Sequence, residues 1–336
     1  MPQQTIRIGH IGAGRFSRNV ILPALKALAD VELIAVANST AESSATVAEQ
    51  FGFAHAATDW RAIVEADDID AVIIGTRTEA HAGVAEAVLA SGKHLLMMNA
   101  IAASSAEADA MVMASALAPN QVALVYPPVG GPFYVKEDIV MRTLLEEGAV
   151  GDVLHVRTSW HTPFFGLGSM FEPMYRWFGD PTRVLGTRKQ YDAPPIVSPE
   201  GREIRPQMNV ALAELRNGGT IAYEHSTIAG ATAQTRVEVY GTEGTLLAYA
   251  GLGQPGTFFR AARGSATVAQ IALPDDLQQT LTTPLAVEAE FLAAVRGERP
   301  AAPAIPRFIE GLRMLEFTEG WSASRESSAW QNLPDA

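Results

Sequence analysis

Apolar residues recur along the first third of the chain with two alternating periods. Short apolar runs at Thr5 to Ile11, Val31 to Ala37, Ala71 to Gly75, His94 to Met97 and Val122 to Tyr126 read as buried strands. Between them, Ala41 to Phe51 and Glu79 to Ser91 have helical spacing. In the second, Val84, Val88 and Leu89 fall on one side and Gly92 is the stop. Ser104 followed by Glu107 predicts a capping box that opens a helix to Leu117. Strand–helix alternation of this kind predicts an α/β fold with a doubly wound parallel sheet, helices on both faces.

The period changes at Pro127-Pro128-Val129-Gly130-Gly131-Pro132, which reads as a domain boundary. A helix is expected from Tyr134 to Glu147. Strands then dominate: Val153 to His161, Thr182 to Tyr191, Asn209 to Leu215, Thr220 to Ile228, Thr235 to Tyr240 and Thr245 to Ala250. Asn217-Gly218-Gly219 and Gly241-Thr242-Glu243-Gly244 read as hairpin turns. Helices are expected at Leu285 to Val295 and Ile309 to Phe317. The expectation is therefore two domains, 1–126 and 127–336, the second an open, mostly antiparallel sheet with helices on one face. A length of 336 residues fits two cores better than one.

Composition narrows the function. With 48% hydrophobic and 18% charged residues the chain packs well, and a net charge of −12 disfavours nucleic acid as a partner. There is no cysteine, so neither disulfides nor thiolate catalysis is available, which fits a reducing cytoplasm. The first residues enter a strand without a secretory pattern, and no apolar run is long enough to span a bilayer. The seven histidines are scattered, so no metal site is expected.

The sharpest signal follows the first strand. Gly12-Ala13-Gly14-Arg15-Phe16-Ser17 is a glycine turn between strand and helix. Gly12 allows the tight turn, Gly14 lets a diphosphate approach the backbone, and Ser17 is the small residue at the helix–strand contact. At the end of the second strand, where a carboxylate would select NAD, stand Asn38, Ser39 and Thr40. Their hydroxyls can bind a 2′-phosphate, and Arg15 can pair with it or stack on adenine, so the sequence favours NADP with NAD as the alternative. No second arginine completes a clamp in this reading.

These segments together resemble the glucose–fructose oxidoreductase / inositol dehydrogenase / MocA family of NAD(P)-dependent oxidoreductases. The resemblance runs from the glycine turn through Thr58-Asp59-Trp60, Ala71-Val72-Ile73-Ile74-Gly75-Thr76 leading to His81, and Gly92-Lys93-His94-Leu95-Leu96. It continues in Gly148-Ala149-Val150-Gly151-Asp152-Val153 and Tyr240-Gly241-Thr242-Glu243-Gly244-Thr245. It implies a Rossmann domain, a sheet domain that forms a homodimer or homotetramer, and a small polyol, sugar-derived or cyclic hydroxyl/ketone substrate. It also implies that Phe16, Thr76, Arg77, His81, Met98 and Asn99 line the cofactor.

The chain departs from that family where proton chemistry is expected. The usual Glu-Lys-Pro is Met98-Asn99-Ala100, and the usual Gly-x-His-x-x-Asp is Gly168-Ser169-Met170-Phe171-Glu172-Pro173. A divergent branch with a Trp-Tyr-Glu-type sequence matches better, with Glu172 as its acidic residue, yet that branch's Ala-Arg-Met-Ala is Asn99-Ala100-Ile101-Ala102 here. Asn99 can orient a substrate but cannot take a proton. Three candidates for proton transfer remain. Glu172, among apolar neighbours, would have a raised pKa, or would simply pair with Arg176. His161 shares a sheet face with His155, Arg157 and Ser159, which can line a cavity, face solvent or contact another subunit. Tyr126 ends the last parallel strand as a proton donor or a packing residue. His225, beside Tyr223, reads as a structural histidine. The readings left open are a hydride-transferring enzyme, a nucleotide-binding member without turnover, and a nicotinamide-assisted lyase or epimerase.

Overall fold

The computed structural model describes residues 4–127, 136–161, 171–197, 203–228, 234–251, 255–282, 286–298 and 305–334, without the side chains of residues 172 and 234. The chain divides into two units. The first comprises Met1–Pro127 and Pro284–Leu312, the second Pro128–Thr283 and Arg313–Ala336.

The first unit holds a six-stranded parallel sheet of β1 (Ile6–Ile11), β2 (Val31–Ala37), β3 (His55–Ala57), β4 (Ala71–Ile74), β5 (His94–Met98) and β6 (Ala123–Tyr126). Their order is β3-β2-β1-β4-β5-β6, so the order in which strands are added reverses between the parallel neighbours β1 and β4. All four residues of β4 and of β6 are buried, as the unbroken apolar runs require. Ser104 caps Ser105–Leu117 by accepting from Glu107 N. The returning Glu107 carboxylate takes the N–H of Ala103 at 3.1 Å, one residue before the usual capping-box partner.

The sequence expectation assigned everything after residue 126 to one second domain; the structure instead returns Pro284–Leu312 to the first unit. The physical reason is the open edge of β6. Val125 N donates to Pro306 O at 2.7 Å, and Leu124 bridges Arg307, so an extended segment covers that edge. Arg296, the C-cap residue of the helix Val287–Val295, pairs with Asp30 and donates to Gln4 O at 3.1 Å. Pro128 to Pro132, the rest of the expected boundary motif, lies outside the described residues.

The second unit is built on β7 (Val153–His161), β8 (Pro181–Gln190), β9 (Ile196–Val197), β10 (Glu203–Ile204), β11 (Gln207–Leu215), β12 (Thr220–Ser226), β13 (Gln234–Gly241), β14 (Gly244–Gly251), β15 (Thr257–Ala262), β16 (Ala269–Gln270) and β17 (Gln331–Asn332). Apart from the β9–β10 ribbon these form one sheet, β16-β15-β14-β13-β7-β12-β11-β8-β17. Only the β7–β12 pair is parallel. Both expected hairpin turns are present, joining β11 to β12 and β13 to β14.

Alternate residues sort cleanly between the faces. Val156, Thr158, Trp160, Tyr223, Val237, Val239, Leu246 and Ala248 are buried, and they pack with residues of the helices Lys136–Glu146, Phe171–Phe178 and Phe308–Ser327. Phe171 lies against Tyr223 with ring centres 4.6 Å apart. A Cβ at Gly186 would overlap the Trp321 indole, so the helix approaches β8 at a position only glycine permits. Asp138, fully buried, accepts from Trp177 Nε1 at 2.7 Å and pairs with Arg176 at 3.1 Å and Arg142 at 3.2 Å.

Candidate functional site

In an open parallel sheet, ligands bind beyond the carboxyl ends of the strands where the order reverses. Here that point lies between β1 and β4, and each strand is followed directly by a glycine, Gly12 and Gly75. Gly12 has φ +79°, and a Cβ there would stand 2.6 Å from Thr76 N. A Cβ on Gly75 would stand 2.8 Å from Gly12 O and 2.8 Å from Ser17 Oγ. The two loops therefore touch backbone to backbone, and the side chain of buried Ser17 fills the small-residue contact expected of it. Gly14 differs: a Cβ there meets nothing within 4 Å, so space is left open beside the turn.

That space belongs to a cleft of about 700 Å³ lined by Gly12, Ala13, Gly14, Arg18, Asn38, Ser39, Ser43, Thr58 to Arg61 and Gly75 to Arg77. The helix that follows the turn, residues 15–26, is wound wide over Ser17–Ile21, where Leu22 N–H reaches Ser17 O. Arg15 is exposed at its start, and Arg18 lines the cleft.

Asn38 has a more specific task than the sequence suggested. Its Oδ1 accepts from Ala13 N at 2.7 Å, and its Nδ2 donates to Ser43 Oγ at 2.9 Å. The amide thus ties the glycine turn to the helix Ala41–Phe51 and brings no negative charge to this end of the cleft. Thr40 caps that helix, accepting from Ser43 N. Ser39 is exposed at the strand end and lines the cleft.

His81 is buried and its ring is fully engaged with carbonyl oxygens. Nδ1 faces Ala100 O at 2.9 Å and Ile101 O at 3.2 Å, and Nε2 faces Thr76 O at 3.1 Å. It therefore fastens the loop after β5 to the loop after β4, which leaves it no nitrogen for proton shuttling. Thr76 Oγ1 is shielded and has no hydrogen-bond partner among the described residues. Met98 ends β5 and Asn99 follows it, both half-buried.

Tyr126 is 2% exposed, takes the edge of Phe16 at 5.6 Å and donates to Glu288 Oε1 at 3.0 Å. Burial, with the Glu288 charge behind it, pushes its phenol well above the ordinary tyrosine range. Burial likewise raises the Glu288 carboxyl, against the opposing hydrogen bonds from its own backbone and from Tyr126. Sequence reasoning missed Glu288 because it lies 162 residues away on a segment assigned to the other domain. His10 was missed too. It is fully buried on β1, neither ring nitrogen has a hydrogen-bond partner among the described residues, and burial pushes its imidazole down to about 3.

The buried carboxyl makes stability depend on pH. A carboxyl raised in the folded state binds its proton more tightly there than in the unfolded chain. Its contribution is present below the ordinary value of 4.5 and is lost as pH rises through the raised folded value. Glu288→Gln keeps an acceptor for the Tyr126 hydroxyl and cannot ionise. Melting curves taken from pH 4.5 upward should show the wild type losing stability relative to this variant; parallel curves would contradict the assignment.

In the second unit, His161 and its row lie on the sheet face turned away from the helices. His155 Nδ1 meets Thr220 Oγ1 at 2.8 Å, and Arg157 lies 4.0 Å from both Glu224 and Glu238. His161 Nδ1 is shielded and has no hydrogen-bond partner among the described residues. His225 is buried on the opposite face beside Asn209 Nδ2, at 3.0 Å, as a structural histidine would be. The expected Glu172–Arg176 pairing meets a competitor, because Arg176 is held by Asp138. Glu172 falls in the helix Phe171–Phe178, but its side chain and residues Gly168 to Met170 lie outside the described residues.

The glycine turn, the open space at Gly14 and the neutral Asn38 fit a dinucleotide, and comparison with known proteins agrees. A family model described as an oxidoreductase family with an NAD-binding Rossmann fold (GFO_IDH_MocA) matches residues 6–126. A 4-carboxy-2-hydroxymuconate-6-semialdehyde dehydrogenase of a Sphingobium species is 37% identical over 110 residues, covering 33% of this chain and 35% of that protein. A levoglucosan dehydrogenase of Pseudarthrobacter phenanthrenivorans is 30% identical over 157 residues, covering 46% of this chain and 35% of that protein. The matched part thus spans about a third of either relative. The solved levoglucosan dehydrogenase in complex with NADH and L-sorbose superposes with a TM-score of 0.77 at 19% identity, covering 99% of this chain and 100% of that one. This last likeness establishes the fold.

Proposed function

Because the chain belongs, through its Rossmann domain, to the Gfo/Idh/MocA oxidoreductase family, we propose that it is an NAD(P)-dependent oxidoreductase. Its substrate would be a polyol, sugar-derived or cyclic hydroxyl/ketone compound. The observation that carries the reading is the loop pair at Gly12 and Gly75, with open space beside Gly14 at the mouth of the cleft. A bound nicotinamide coenzyme supplies the hydride acceptor or donor. The backbone around Gly14 and the first turn of the helix would hold the diphosphate. Thr76, Arg77, Met98 and Asn99 would border the nicotinamide end, with Asn99 orienting the substrate. Asn38 and the cations of the cleft favour NADP over NAD.

Of the candidates for proton transfer, Glu172 keeps the role in this proposal. The Tyr126 hydroxyl is committed to Glu288, and His161 lies on the sheet face away from the helices. That face carries exposed Leu212 and Tyr240 and is proposed to pair with a second copy in a homo-oligomer. No described helix is long and apolar enough to cross a membrane; the absence of cysteine favours a cytoplasmic setting.

A second reading, nucleotide binding without turnover, is favoured by Asn99 at the position where the family resemblance leads one to expect lysine. Fluorescence titration with NADPH and NADH, followed by turnover on a panel of polyols and ketones, separates the two. Binding with turnover supports the enzyme, and binding without it supports the second reading. Glu172→Gln should bind coenzyme like the wild type and turn over more slowly; equal turnover would remove Glu172 from the mechanism.

A further inference from the structure

The ribose end of the cleft has two walls. One is the end of β2 with Asn38, Ser39 and Ser43. The other is the turn after β3, Thr58-Asp59-Trp60-Arg61. Strand register places them side by side, because Ala37 pairs with Ala57 and both chains then turn into the cleft. The glycine turn alone suggested no second arginine, yet this neighbouring turn brings one. The Arg61 guanidinium lies 4.6 Å from the centre of the Trp60 ring, which serves as its shelf. Its ion pair is with Asp59 at 3.3 Å, between side chains 62% and 55% exposed, so little energy holds it there.

Resting on the dinucleotide reading above, we propose that Arg61 is the specificity-determining cation for a 2′-phosphate on the adenosine ribose. Trp60 supports it, and Asp59 is a carboxylate the phosphate displaces. The opposite wall is already suited to the same group. Ser43 Oγ accepts from Asn38 Nδ2 at 2.9 Å, so its own O–H is directed to another acceptor. The Asn38 amide carries no charge to repel a phosphate. Arg18 and Arg77 also line the cleft, but they follow the glycine turn and β4, at the diphosphate and nicotinamide end. Arg61 alone among these cations emerges beside the end of β2.

The test uses adenosine 2′,5′-diphosphate and 5′-AMP as probes, with calorimetric Kd values for the full chain, wild type and Arg61→Ala. The wild type is expected to prefer the diphosphate by about 10-fold or more, the size of a charge-assisted contact. Arg61→Ala should erase that preference and leave 5′-AMP affinity unchanged. Asp59→Asn, which removes the competitor, should tighten the 2′,5′-compound severalfold. An undiminished preference in Arg61→Ala overturns the proposal, as does a wild type that binds both probes equally while still binding a coenzyme. A wild type that binds none of these nucleotides overturns the dinucleotide reading itself. Since Arg61 is exposed and makes no core contact, matching melting curves will show that the variant is folded.

Discussion

Gly14→Val is expected to fold normally and lose dinucleotide binding, while Gly12→Ala is expected to lose the fold of the loop itself. The contrast follows from what each new side chain meets. At Gly14 a Cβ enters open cleft, so melting temperature should stay within about 2 °C of the wild type. The same methyl groups would occupy the path by which a diphosphate reaches the backbone N–H groups. Coenzyme affinity should fall at least about 100-fold, about 2.8 kcal/mol. At Gly12 the Cβ would be 2.6 Å from Thr76 N and 2.8 Å from Gly75 C, both backbone atoms that cannot swing aside, at a φ of +79° that side chains rarely adopt. Strain of this kind costs on the order of 1–3 kcal/mol, which in a unit this size lowers the melting temperature by several degrees. Fluorescence titration and thermal unfolding of both variants decide the matter. A Gly14→Val protein that binds NADPH like the wild type would show that this loop is not the diphosphate site.

The fold was legible where local patterning and tertiary context agree. Val31–Ala37 and Ala41–Phe51 occur at the predicted residues because a buried strand and a capped amphipathic helix are both specified by their own sequence. The strand His55–Ala57 is too short for any period to declare itself, and the short helix Arg61–Glu65 is expected only from the family resemblance at Thr58-Asp59-Trp60. The return of Pro284–Leu312 to the first unit was equally hidden. It depends on an edge strand needing a partner and on Glu288 finding Tyr126, and neither is written in local spacing. At the candidate site Gly12 was readable because it answers a backbone demand, and Gly14 because a ligand's approach needs the space beside it. Arg61 was not, since only the register of β2 on β3 brings it beside Asn38. Asn38 was placed correctly at the strand end, but its bond to Ala13 N is a tertiary fact.

Asp138→Ala is expected to be the most damaging single change in the second unit, by roughly 3–5 kcal/mol. The carboxylate is completely buried and receives three donors from two helices: Arg142 on its own helix, and Arg176 and Trp177 on Phe171–Phe178. Burial raises its carboxyl, while the two guanidinium groups and the indole N–H oppose that shift. Removing it takes the shared acceptor from two half-buried cations and from an indole that is itself 7% exposed, and opens a cavity beside them. Asp138→Asn keeps the shape and one acceptor for Trp177 but withdraws the charge, so its loss should be smaller. Denaturant unfolding of the pair will measure the difference. The consequence reaches function through position. Asp138 holds the helix that carries Glu172, the residue proposed above for proton transfer, so on that proposal the Asn variant, still folded, should lose turnover while coenzyme Kd stays unchanged. A variant of full stability and full turnover would mean that this buried carboxylate neither secures the helix nor sets its place.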